Sequence, residues 1–215
     1  MYAKWLLLGL ALDLSLVACE KPSRRQLDLD LVRITGEGKL RTDVVGDAIQ
    51  ETATFVLVDA ENTGKEGAYV TLAGDLADST GTVVADFKAQ SLWIPAGDSR
   101  TFALVDRARK PRPTATQAKI QVRSATIPDH PPPARVDQIR EVPDNGNLVV
   151  QGILHNDAAR RGDIMVIGSF HGADGRPMTR PFSIVKVPAG ESRAVQFVSP
   201  PGAAHGTIYV GDVSY

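Results

Sequence analysis

The sequence predicts an all-β fold of two tandem β-sandwich domains that follow a cleavable amino-terminal segment. One long segment returns further along the chain, and apolar residues alternate with polar ones at the period of a strand. The 14 Pro and 19 Gly among 215 residues leave little room for long helices, and a hydrophobic content of 43% suffices to fill packed cores.

In chain order, Lys4 and the free amine make a short positive region, residues 5–12 are an apolar run, and Leu16, Val17 and Ala18 lead into Cys19. A bilayer-spanning helix needs about 20 apolar residues, and Asp13 interrupts this run well before that length. The pattern resembles the lipobox read by lipoprotein signal peptidase. That resemblance implies cleavage before Cys19, a diacylglycerol on its thiol and acylation of the new amine. At roughly 0.8 kcal/mol per buried methylene, two or three acyl chains make a lasting anchor. By resemblance to the Gram-negative sorting rule, the position after the cysteine holds Glu20 and not the aspartate that favours inner-membrane retention, which points to the outer membrane, on its periplasmic face. Asp13 departs from a typical signal core, where a carboxylate costs about 2.5–3.5 kcal/mol on insertion. Cys19 is the only cysteine, so the domains carry no internal disulfide.

The self-similarity is strongest where PAGDSRTFALV at 95–105 returns as PAGESRAVQFV at 188–198, with six of eleven positions identical. Upstream, Asn62 matches Asn156, Gly74 matches Gly168 and Gly81 matches Gly175. Downstream, Ile120 and Val122 match Ile208 and Val210. The repeat therefore covers a whole domain. Val70, Leu72 and Leu76 in the first copy, and Ile164, Val166 and Phe170 in the second, are core candidates on alternating strands. DSTG at 78–81 and GADG at 172–175 carry hairpin chemistry. In the two PAG segments, Pro presets the first corner and Gly can take a left-handed conformation. The strands that follow offer Phe102 and Leu104, matched by Val195 and Phe197, to the core.

A short Asn-containing turn, a strand, a hairpin with Asp and Gly, and a PAG turn before an aromatic-bearing strand together resemble the FxLYD family of immunoglobulin-like domains. The resemblance implies immunoglobulin-like sandwiches of the kind found in envelope lipoproteins. The family's LYD signature stands here as Leu76, Ala77, Asp78 in the first copy and as Phe170, His171, Gly172 in the second. The expected organisation is a signal peptide at 1–18, a lipidated tether at 19–27, one sandwich at 28–126, a proline-rich linker at 127–135 and a second sandwich at 136–215. The linker prolines favour a stiff, extended spacer, so tether and spacer together make an arm with reach away from the membrane.

Lys plus Arg total 24 against 25 Asp plus Glu, a balance that does not point to nucleic acid. His130, His155, His171 and His205 show no metal-ligand spacing, no phosphate loop or dinucleotide fingerprint occurs, and no cofactor or metal is expected. Ser169 and His171 share one strand face, but a serine hydrolase motif is absent and no catalytic residue is assigned.

Where the two copies differ, two features suggest partner binding. Trp93 stands where the second copy has Lys186, between Leu92 and Ile94, so alternation turns it outward as an anchor for a partner. The loop RARKPRPT at 107–114 is longer than its counterpart and places Arg107, Arg109, Lys110 and Arg112 where anionic polymers, lipids or acidic protein faces can meet them. The reading is a non-enzymatic, membrane-anchored envelope lipoprotein. It serves as an interaction or spacing module for envelope proteins or surface polymers, anchored through lipid on Cys19. The competing reading is a carrier or hydrolytic enzyme that uses a pocket between the domains with His155 or His171.

Overall fold

The computed structural model describes residues 25–45 and 51–215. In chain order its strands are β1 (Arg25–Gln26), β2 (Val32–Glu37), β3 (Arg41–Val45), β4 (Glu51–Asn62), β5 (Ala68–Ala77), β6 (Val83–Asp86), β7 (Gln90–Ile94), β8 (Ser99–Val105) and β9 (Gln117–Ile127). They continue as β10 (Ala134–Asp144), β11 (Asn147–Asn156), β12 (Gly162–His171), β13 (Pro177–Thr179), β14 (Phe182–Val187), β15 (Ser192–Val198) and β16 (His205–Ser214). The fold is all-β, every pairing is antiparallel, and the sheets are arranged like sandwiches. Among the described residues no helix is long and apolar enough to cross a membrane.

The first nine strands make two sheets. Sheet I runs β1-β9-β5, with β6 and β7 sharing the far edge of β5. Sheet II is centred on β4, with β2 and β3 on one side and β8 on the other. The later strands repeat this pattern. In sheet III, β12 lies between β13 and β14 on one side and β16 on the other; in sheet IV, β11 lies between β10 and β15. β10 alone covers the length that β2 and β3 share, with a bulge between Asp137 and Arg140 and with Gln138 at φ 52°.

The core candidates lie where period-two alternation puts them. Val70, Leu72 and Leu76 are fully buried between sheets I and II with Phe102 and Leu104. Ile164, Val166 and Phe170 are fully buried between sheets III and IV, and Val195 and Phe197 pack against them. Burying a side chain of this size stabilises by about 1.5–3 kcal/mol relative to leaving it exposed, which fixes each strand's register against a one-residue slip.

The shared PAG turns have a common structural basis. Gly97 and Gly190 adopt φ 71° and 68°, where a β-carbon is strained. Each turn is held by a fully buried asparagine. Asn62 donates through Nδ2 to the carbonyls of Glu66 and Ile94, and accepts the Gly64 amide on Oδ1. Asn156 donates to the carbonyls of Arg160, Val187 and Pro188, and accepts the Ala158 amide. The backbone carbonyl of each asparagine takes the amide of the turn glycine, at 2.8 Å for Gly97 and 2.9 Å for Gly190. Asn62 on sheet II thus reaches the end of β7 on sheet I, and Asn156 on sheet IV reaches the end of β14 on sheet III. One amide side chain ties two sheets together in each half.

Between β9 and β10 the proline segment turns, and the carbonyl of Pro133 accepts the Asp157 amide at 2.8 Å. It does not hold the halves apart. Ile167 and Tyr209 from sheet III are buried within the apolar cluster of the first half.

Candidate functional site

The densest group of buried polar side chains lies where the outward faces of sheets II and III meet. β4 buries Val56, Val58 and Ala60 in its own core and turns Leu57 and Asp59 the other way; β8 likewise turns Thr101 outward. β12 sends Ile164, Val166 and Phe170 into its own core and Ile167, Ser169 and His171 towards the first half. Both central strands are buried on both faces.

A chain of hydrogen bonds crosses this seam. The Thr101 hydroxyl donates to Asp59 Oδ1 at 2.5 Å, which leaves its oxygen to accept the Ser169 hydroxyl, also at 2.5 Å. His171 Nε2 stands 3.0 Å from Asp59 Oδ2. The Tyr209 phenol donates to the Thr101 carbonyl at 2.7 Å and accepts the Thr101 amide at 3.2 Å. Arg180 Nε donates to the same carbonyl at 2.6 Å, and the Arg100 guanidinium lies over the Tyr209 ring, 4.9 Å from its centroid. Such networks strengthen cooperatively in a low-dielectric setting and are costly to leave half-made. The seam fastens the halves to each other. Ser169 and His171 share a face as expected, yet each binds a different partner across the seam, and the fully buried Ser169 hydroxyl is spent on Thr101.

His155 has a separate setting on the outward face of sheet IV. Its Nδ1 is 2.7 Å from the Ser192 hydroxyl and its Nε2 is 3.0 Å from Asp137 Oδ1. With Nε2–H donating to the carboxylate, Nδ1 is free to accept the serine proton. The His155 hydrogen bond, reinforced by Arg135, holds the Asp137 carboxyl below its usual value. Serine, histidine and aspartate therefore stand in one hydrogen-bonded line. In the first copy, Glu61 pairs with Ser99 at the place where His155 pairs with Ser192. Next to this line, Gln138, Arg140, Gln151, Ile153, Ala194 and Gln196 line an open groove of about 530 Å³.

Trp93 lies between the buried Leu92 and Ile94 and faces the other way, where it is half-buried. Its ring packs on Tyr69, with centroids 5.5 Å apart and an interplanar angle of 58°. Gly67 lies beneath it; a β-carbon there would come within 2.3 Å of the indole. Tyr69 itself is 39% exposed. Burial first, and then the nearby Asp212 and Tyr215, push its phenol above the usual tyrosine value.

The basic loop is largely committed to internal carboxylates. Arg107 pairs with Asp86 at 2.6 Å, Arg109 with Glu51 at 3.3 Å, and Arg112 with the buried Asp106 at 2.8 Å. The Lys110 amide also caps Asp106, and among the described residues the Lys110 ammonium has no carboxylate within ion-pair distance. The sequence showed the cations of this loop, but their partners lie 6 to 58 positions away in the chain.

Cys19 and the expected signal segment at 1–18 lie outside the described residues. Among the described residues no three potential metal ligands converge. No family model and no curated protein matches the chain.

Proposed function

We propose that the chain is a membrane-anchored envelope lipoprotein. Its mature part is read as two tandem immunoglobulin-like sandwiches of the FxLYD kind, at 28–126 and 136–215, joined at 127–135. Lipid on Cys19 fixes it to the membrane, and the outer membrane's periplasmic face is the expected address. The body acts as a non-enzymatic interaction module for envelope proteins or surface polymers. The sequence pattern ending at Cys19 supports the anchor, and the seam through Asp59, Thr101, Ser169, His171 and Tyr209, which fastens the halves to each other, supports a body that presents surfaces at a fixed spacing. Trp93 with Tyr69 forms one contact surface, and the loop bearing Arg107, Arg109, Lys110 and Arg112 forms another.

Capture from detergent-solubilised envelopes tests the reading, with wild type compared against Trp93→Ala and against a loop in which Arg107, Arg109 and Lys110 are neutralised while Arg112, the partner of the buried Asp106, is kept. At least one variant should lose a partner that wild type retains. Identical capture by all three contradicts the assignment of these surfaces.

A hydrolytic reading is favoured by one observation, the Ser192–His155–Asp137 line beside the groove on sheet IV. Labelling with a fluorophosphonate probe decides it. Labelling that disappears in Ser192→Ala supports an esterase, and an unlabelled wild-type chain removes it.

A further inference from the structure

We propose that the outward face of sheet I around Trp93 and Tyr69 rests on the lipid–water interface of the membrane that holds the anchor. This rests on the lipid-anchor reading and assigns the aromatic face to lipid, which leaves the basic loop as the surface for envelope proteins or surface polymers.

The position of the tether supports it. Gln26 on β1 pairs with Thr126 on β9, Thr126 pairs with Tyr69 on β5, and Tyr69 pairs with Trp93 on β7. Directly paired residues put their side chains on the same face, so these four form one row across the outside of sheet I. With strands about 4.8 Å apart, Trp93 lies roughly 14 Å from Gln26. The tether enters at this row's end, because β1 is the edge strand beside β9 and only six positions separate Arg25 from Cys19. At 3.3–3.6 Å per residue, that length reaches about 20 Å at full extension. An acyl chain on Cys19 therefore keeps this edge of sheet I within about 20 Å of the bilayer surface.

The chemistry of the face matches such a neighbour. Trp and Tyr rings have an apolar body and one polar edge, and they concentrate at membrane–water interfaces for that reason. Trp93 packs on Tyr69, Tyr69 and Tyr215 are 39% and 38% exposed, and Arg160 stacks on Tyr215 at 5.2 Å. Glu66, which precedes Gly67 in the chain, pairs with Arg25 at 2.5 Å. Asp212 is the carboxylate near Tyr69 that must stay on the water side of the contact. Lys21 and Arg24 in the tether add attraction to anionic head groups.

The chain holds two tryptophans, Trp5 and Trp93, so a protein beginning at Cys19 has Trp93 as its single indole reporter. Such a protein retains every described residue. It is coupled through the Cys19 thiol to a maleimide lipid in phosphatidylcholine–phosphatidylglycerol vesicles that carry bromine near the head-group end of their acyl chains. This coupling makes the result independent of whether cells lipidate Cys19, a separate question answered by fatty-acid labelling. Trp93 emission should shift to the blue and fall by at least half relative to unbrominated vesicles. Tyr69→Asp and Tyr215→Asp, each checked for native circular dichroism, should restore most of it. Emission indifferent to bromine in the wild type, or equal quenching in wild type and both folded variants, overturns the proposal.

Discussion

The Tyr209 phenol and the Thr101 backbone form a closed pair across the seam: the hydroxyl donates to the Thr101 carbonyl at 2.7 Å and accepts its amide at 3.2 Å. Tyr209→Phe removes both bonds and strands a buried amide. The expected loss is about 1–3 kcal/mol, measured by urea denaturation. Because the lesion joins two halves, wild type should unfold in one transition and the variant should destabilise both halves together. Two separate transitions in the wild type would show that the seam does not couple them.

Asn62→Ala and Asn156→Ala each leave buried carbonyls and one amide without their partner at a sheet-to-sheet corner. Each should cost about 3 kcal/mol or more by chemical denaturation. A loss below about 1 kcal/mol at either position would mean that water or a shifted turn replaces the side chain.

These corners also show what was legible in the sequence. The Asn, Gly and Pro positions repeat because they serve local geometry, so the turns, the strands and the core residues could be read from spacing and alternation. The bonds from Asn62 to Ile94 and from Asn156 to Val187 could not, since hydrogen bonding over such separations has no period. The seam was hidden for the same reason: Asp59 and His171 are 112 positions apart. It did leave a faint mark, because a strand buried on both faces reads as a continuous apolar run. Residues 55–60 (FVLVDA) and 164–170 (IMVIGSF) are the two such runs that meet. Trp93 was placed on the outward face by alternation, but the cover that Tyr69 and Gly67 provide depends on strand pairing across the sheet.

Within the basic loop, Arg112 and Arg107 should behave differently. Arg112 neutralises Asp106, whose side chain is fully buried, whereas Arg107 and Asp86 are both more than half exposed. Arg112→Ala should lower the denaturation midpoint clearly and Arg107→Ala should leave it almost unchanged. Equal effects would remove the distinction between a structural and a solvent-facing cation.

Acid titration should report the Asp137–His155 contact. The folded Asp137 carboxyl titrates below its ordinary value of 3.8, chiefly through the His155 hydrogen bond. Its contribution to stability is therefore present above that value and is lost as pH falls through the lower folded one. His155→Ala should return the Asp137 carboxyl resonance towards the ordinary range in an NMR titration. An unchanged midpoint would assign the depression to Arg135 instead.

At the alkaline end, Tyr69 runs the opposite way. Burial and the neighbouring Asp212 raise its phenol above 10, so the unfolded chain ionises first and stability declines as pH rises past that point. A spectrophotometric titration that places Tyr69 at or below 10 would contradict the packed Trp93–Tyr69 arrangement.

The anchor is tested most directly by growing cells with labelled fatty acid and following this chain and its Cys19→Ala variant. Wild type should carry the label and partition with membranes, and the variant should do neither; label retained by Cys19→Ala, or absent from wild type, would contradict the lipoprotein reading.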